Sequence, residues 1–380
     1  MRYRELFSLY RRKMKSGKAV WYYQCYDENG VRLCGHSTGK TAKTEARNYC
    51  IRLVKEDRLI YRRGKKMPTF GEFAKGFWDF QTSEYLCYVR TRRPITQSYA
   101  DSAKKLIERY ALGAFKHIPL DKINETKIDS WLVSLPSMGL QAMSANLVFA
   151  IVKIMLNWAV KKRLIKHNPG TGVKKLIQKA KQREIFSSPE IQKLFGNNGK
   201  VWKDQLYCQM CKLAACTGMR ISEVIGLQGC FVFENYITVA GQYSHKYGFT
   251  DTKNHKIRNI TIPLAVSLEL HQLKEMSGDK YLFSKDGGKT PVRYSSVNRS
   301  FLAAIKKIGI SEDERKRRGL TFHSWRHFFN TSLRLANVAD SKVRFVIGHS
   351  GESMTEHYTH FDARQFDDIR EVQERLLAGV

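Results

Sequence analysis

The chain has 380 residues, enough for two or three domains with cores of their own, and its 42% hydrophobic content excludes a disordered protein. Its net charge of +31 makes a polyanion, DNA or RNA, the expected partner. No uninterrupted run of about 18 apolar residues marks a membrane span, and Met1-Arg2-Tyr3-Arg4-Glu5-Leu6 lacks the apolar stretch of a secretion signal, so a cytoplasmic protein without a membrane partner is expected.

Residues 1–65 read as a small, basic first domain. Ala19 to Tyr26 is rich in aromatic and β-branched residues and predicts a strand. Asp27-Glu28-Asn29-Gly30 predicts a turn, and Val31 to His36 a second strand. Alternation sets Trp21, Tyr23 and Cys25 on one face and Tyr22, Gln24 and Tyr26 on the other, without saying which is buried. Thr41 is placed to cap a helix with Glu45 in its first turn. Arg62-Arg63-Gly64-Lys65-Lys66-Met67-Pro68 then reads as a linker.

Residues 66–176 read as a helical domain. Thr69 caps its first segment, Tyr99 to Arg109 is helical, and Met143 to Lys162 carries Leu147, Ile151, Ile154 and Trp158 at helical spacing. His167-Asn168-Pro169-Gly170 closes it. Residues 177–184 continue a basic run suited to an interdomain tether that touches phosphates.

The last domain, 185–380, opens on Ser188-Pro189-Glu190, a helix start with proline at its first position. Leu206 to Thr217 is an apolar helix that Gly218 breaks, so that the chain turns at Arg220. Tyr236 to Val239 and Lys256 to Ile262 alternate as the strands of a hairpin, with Lys253 on its turn side. Val297 to Ile308 and Trp325 to Leu335 are expected helices. Asp362 to Val380 reads as an amphipathic helix with Phe366, Ile369, Val372 and Leu376 on its apolar side. The eight cysteines are expected as thiols. Cys208-x-x-Cys211 has metal-ligand spacing but no second pair, and it sits in an apolar helical pattern, so buried helix side chains are expected rather than a zinc site.

The chemistry concentrates near the C-terminus, in His323-Ser324-Trp325-Arg326-His327, Gly348-His349-Ser350 and Tyr358. Three apart on a helix, His323 and Arg326 share a face, setting a group that can exchange a proton beside a permanent cation. Such a pair suits gripping a phosphate and moving a proton at an oxygen. A tyrosine hydroxyl can serve as covalent nucleophile. Arg220 and Arg326 offer forked donors for non-bridging oxygens that lysine cannot copy, and Glu223, three residues on, is placed to orient Arg220. No Asp/Glu cluster for two-metal chemistry stands out, so no metal or other cofactor is expected.

In order and spacing, Arg220 in Thr217-Gly218-Met219-Arg220-Ile221-Ser222-Glu223, Lys253 in Thr252-Lys253-Asn254, His323-x-x-Arg326, Gly348-His349 and Tyr358 together resemble the tyrosine recombinases of the phage integrase type. The resemblance covers nearly the whole chain and is most specific from Arg220 to Tyr358. It implies a multidomain, mainly α protein with small β-sheets: a three-stranded sheet plus helix that binds arm-type DNA sites, a helical core-binding domain, and an α+β catalytic domain. It implies a site-specific recombinase, an integrase of a phage or integrative element, that acts without metal or ATP. In that reading Tyr358 forms a 3′-phosphotyrosine, Arg220 and Arg326 hold the phosphate, Lys253 protonates the 5′ oxygen with Lys246 and Lys256 as nearby rivals, His323 assists proton transfer at the nucleophile or positions a phosphate oxygen, and His349 hydrogen-bonds the phosphate. The implied partners are double-stranded DNA at core and arm sites, a homotetramer on synapsed DNA that a C-terminal tail couples, and host DNA-bending and excision factors. Two alternatives stay open, a type IB topoisomerase-like enzyme and a catalytically silent DNA-binding regulator.

Overall fold

The computed structural model describes residues 6–14, 17–26, 32–56, 58–59, 67–178, 183–252, 257–348 and 363–378. The chain divides into two compact units, Met1–Gln178 and Lys179–Val380.

The first unit holds two separate hydrophobic cores. The smaller belongs to an antiparallel sheet, β1 (Phe7–Lys13), β2 (Ala19–Cys25) and β3 (His36–Ser37), in the order β1-β2-β3, with helix α1 (Lys43–Lys55). Tyr23 and Cys25 of β2 are buried with Cys50 and Leu53 of α1, which settles the buried face. On the other face Tyr10 packs on Tyr22 at 5.8 Å, and the Arg12 guanidinium lies 5.6 Å from the Tyr22 ring. Three features here differ from the sequence expectation. β1 was not foreseen, because its polar residues mask the alternation. The strand expected from Val31 to His36 shrinks to a bridge between Tyr26 and Arg32 and the two residues of β3. Ala42, not Thr41, occupies the N-cap of α1, with no side-chain cap. The Asp27–Gly30 turn lies outside the described residues.

The larger core belongs to helices α2 (Phe70–Ala74), α3 (Glu84–Arg90), α4 (Gln97–Leu106), α5 (Leu112–Phe115), α6 (Glu125–Ser134) and α7 (Ala142–Lys161), with a π-helical turn at Ile107–Ala111. Thr69 and Glu72 close a reciprocal capping box on α2, which satisfies two backbone donors at its start. α7 is long and apolar enough to cross a membrane by length and composition, yet it is the central core helix, burying Val148, Phe149, Val152, Met155 and Leu156. Its buried stripe is rotated from the one expected: Ile151 and Trp158 face inward, but Leu147 is exposed.

The second unit is built on one large core. Its helices are α8 (Ser188–Gly199), α9 (Gln205–Thr217), α10 (Ile221–Ile225), α11 (Leu264–Ser277), α12 (Tyr294–Lys307), α13 (Glu312–Arg318), α14 (Ser324–Leu335), α15 (Asp340–Ile347) and α16 (Asp367–Ala378). Two small antiparallel sheets pair β4 (Tyr236–Val239) with β7 (Arg258–Thr261) and β5 (Gly241–Ser244) with β6 (Gly248–Asp251). The expected hairpin of β4 and β7 thus has a second hairpin inserted between its strands. β5 and β6 carry too little alternation to be read from sequence. Trp325 of α14 anchors the core, stacked on Phe186 at 4.3 Å and surrounded by Phe195 and Phe301. Burying one large apolar side chain contributes about 1.5–3 kcal/mol, so this cluster fixes α14 against α8, α9 and α12. Cys208 and Cys211 are buried in α9, where burial pushes the Cys208 thiol up to about 12. The amphipathic tail packs on its own domain, with Phe366, just before α16, and Ile369 and Val372 of α16 in the core.

Candidate active site

α9 ends at Gly218, which takes the left-handed conformation (φ 64°) that favours glycine. A Cβ there would also lie 2.9 Å from the Phe329 ring of α14. This close approach of α9 and α14 determines the site. The chain reverses at Gly218, so that Arg220 starts α10, while α14 presents Arg326 to the same corner. Arg326 donates Nη1–H to the Gly218 carbonyl oxygen at 2.9 Å. His323 is the N-cap residue of α14, one turn before Arg326.

Arg326 is only 4% exposed, and its Nη2 has no hydrogen-bond partner among the described residues. Desolvation, then the nearby Arg220 charge, pull the Arg326 guanidinium down to about 9; Glu223 opposes them and Arg258 adds to them. His323 stands at the rim, its ring 4.9 Å from His327 and perpendicular to it. Partial desolvation, followed by the charges of His327, Arg326, Arg183 and Arg220, pushes it down to about 4, so it is neutral at pH 7. His327 is lowered for the same reasons, and its buried Nε2 has no partner among the described residues. Two guanidiniums and a neutral imidazole therefore share one corner, where a phosphate would relieve the repulsion between the cations.

Behind the cations lies a buried carboxylate. Glu223 accepts the Arg220 backbone N–H at 2.9 Å and Arg220 Nη1–H at 2.7 Å. It also pairs with Arg258, Nη2 to Oε2 at 2.8 Å and Nη1 to Oε1 at 3.4 Å. Burial alone would push the Glu223 carboxyl up; Arg258, the backbone donor and Arg220 outweigh it and hold it below its usual range. Glu223 was legible in the sequence as a partner of Arg220, but Arg258 was not singled out. Its signal was present: Arg258, Ile260 and Ile262 share one strand phase, and all three are buried.

The structure thus brings Arg220, His323 and Arg326 together. Lys253, His349 and Tyr358 lie outside the described residues: Lys253 falls between β6 and β7, and His349 directly follows Gly348 at the end of α15.

Residues 185–365 match the model of the phage integrase family. The tyrosine recombinase XerD of Oceanobacillus iheyensis is 21% identical over 299 residues, covering 77% of this chain and 97% of that protein. XerD of Staphylococcus epidermidis is 25% identical over 293 residues, covering 74% and 94%. Among solved structures, the Tn1549 transposon integrase in complex with a circular intermediate DNA superposes with a TM-score of 0.58 at 20% identity, covering 77% of this chain and 98% of that one. A lambda integrase tetramer bound to a Holliday junction superposes at 0.57 with 16% identity, covering 95% and 98%. The mainly helical fold with small sheets, including the N-terminal three-stranded sheet and helix, is the one expected from sequence.

Proposed function

We propose that this chain, whose residues 185–365 belong to the phage integrase family of tyrosine recombinases, cuts and rejoins DNA through a covalent phosphotyrosine at Tyr358. The chain is a site-specific DNA recombinase, an enzyme of DNA integration. The observation that best supports the finer mechanism is the buried Arg326 beside Arg220, two forked cations held by a glycine turn and a buried carboxylate.

In this mechanism the Tyr358 hydroxyl oxygen attacks the scissile phosphorus. Its proton leaves toward a neighbouring base, and neutral His323 has the free lone pair to take it. Arg220 and Arg326 hold the equatorial oxygens through the transition state. As the bond from phosphorus to the 5′ oxygen breaks, Lys253 protonates that oxygen and His349 hydrogen-bonds the phosphate. The products are a 3′-phosphotyrosine and a free 5′-hydroxyl. A 5′-hydroxyl from the partner duplex reverses the chemistry, so phosphoester energy is conserved without ATP. Residues 1–65 act as an arm-site DNA-binding domain, with Tyr10, Arg12, Tyr22 and Gln24 on the sheet face turned from α1. Residues 66–176 act as the core-binding domain, 177–184 as the tether and 185–380 as the catalytic domain. The active assembly is a tetramer on synapsed DNA in the cytoplasm, helped by DNA-bending and excision factors.

The test is a nicked suicide substrate carrying the element's core site, on which cleavage traps the protein covalently. Tyr358→Phe is expected to bind this DNA as the wild type does and to form no adduct. Adduct formation by Tyr358→Phe would move the nucleophile elsewhere. Absence of any adduct with the wild-type chain would favour the silent regulator.

A further inference from the structure

Arg258 sits behind this corner, with its guanidinium engaged by Glu223 and by the end of α15. It sits at the start of β7, paired with Val239 of β4 on the buried side of that sheet, and is only 5% exposed. Three sets of contacts use its donors and its flat face. Nη1 and Nη2 clasp both oxygens of Glu223. Nε–H donates to the Val346 carbonyl oxygen, in the last turn of α15, at 2.8 Å. Gly348, with φ 70°, packs so closely that a Cβ there would lie 3.2 Å from three guanidinium atoms. One rigid, planar group thus joins the carboxylate that grips Arg220 to the last residues before His349. Lysine has one nitrogen and no plane, so it cannot make both connections at once.

We propose that Arg258 is a positioning residue that ties Arg220, through Glu223, to the end of α15 at Val346 and Gly348, so that the phosphate-holding cation is fixed by one strut between β7 and α15. The inference rests on the catalytic reading of Arg220 and Tyr358 given above. Arg258 acts through Glu223 and through the end of α15. A misplacement of about 1 Å at a reacting centre can cost about a hundredfold in rate, and Arg258 holds the carboxylate that fixes Arg220.

The experiment compares full-length Arg258→Lys and Arg258→Met with wild type, measuring three quantities: melting temperature, affinity for core-site DNA, and single-turnover adduct formation on the suicide substrate. In both variants Glu223 keeps Arg220 as a partner, so no orphaned carboxylate forces unfolding. Whichever variant is folded at the assay temperature decides. The expected result is adduct formation slowed at least tenfold, with affinity for the core site within about threefold of wild type. The same substitution made on an Arg220→Lys background should cost much less, because the two act through one linkage. A purely structural residue would give the same loss on both backgrounds. Adduct formation at the wild-type rate in a folded variant, or an undiminished loss on the Arg220→Lys background, overturns the inference. Failure of the wild-type chain to form an adduct would instead strike the catalytic reading itself, so the two failures are distinguishable.

Discussion

Replacing Arg326 with methionine should make the free protein more stable while sharply slowing its cleavage. Arg326 is buried with one hydrogen bond among the described residues, to the Gly218 carbonyl, and it is held near Arg220. The descent of its guanidinium to about 9 corresponds to a folding cost on the order of 5 kcal/mol, at about 1.4 kcal/mol per tenfold change. Arg326 is a base whose proton affinity is reduced by folding, so this cost is complete below about pH 9 and fades as pH climbs beyond it. Losing the charged hydrogen bond to Gly218 subtracts about 1.5–3 kcal/mol. A net gain of roughly 2–3 kcal/mol remains for an unbranched apolar replacement of similar length. For a unit of about 200 residues that raises the melting midpoint by roughly 5–10 °C. Calorimetry of the DNA-free full-length chain at pH 7 reads the midpoint, and the suicide substrate reads cleavage, expected to fall by about 10²–10³-fold. A lower midpoint for Arg326→Met would refute the reasoning, because it would show that the site is not strained by its own cations.

Three further outcomes are expected. An NMR titration of the free protein should place the His323 midpoint near 4; its contribution to stability is complete above the unfolded value of about 6.5 and is lost as pH falls toward 4, and bound DNA should move the midpoint back up. EDTA should leave cleavage unchanged, since side-chain cations perform the electrostatic work; loss of cleavage restored by Mg²⁺ would contradict this. A fragment starting near Met67 should still cleave core-site DNA while losing arm-site binding, and residues 1–65 alone should bind duplex DNA with steep salt dependence; equal integration by the fragment and the full chain would overturn the arm-domain assignment.

What could be read from the sequence was local. The stop at Gly218 followed from a glycine after an apolar helix, and His323 with Arg326 followed from helical spacing. The fixed carboxylate at Glu223 followed from an i,i+3 position. What could not be read required pairings distant in sequence. Arg258 meets Glu223 across 35 residues and Val346 across 88, and nothing local distinguishes it from the chain's other arginines except its strand phase. The inserted hairpin of β5 and β6 was missed because its eight residues include glycines at 241 and 248 and few β-branched side chains. The phase error at Leu147 came from a helix apolar on nearly every side, where spacing alone leaves the buried stripe free to rotate.

The tail helix α16 has a bearing on how copies of this chain can share parts. Gln373, fully enclosed, donates from its Nε2 to the carbonyls of Cys216 and Thr261 at 2.8 and 2.7 Å, the first only two residues before Gly218. Around it Phe366, Ile369 and Val372 fill an apolar trench. A protomer that lent this helix to a neighbour would open the trench and orphan both carbonyls at the root of its own phosphate corner. Lending is therefore tolerable only where each donor is also a recipient, which closes a ring; a line of copies leaves one trench bare at its end. By the same logic, a chain cut before residue 363 is expected to bare an apolar face and to associate through it.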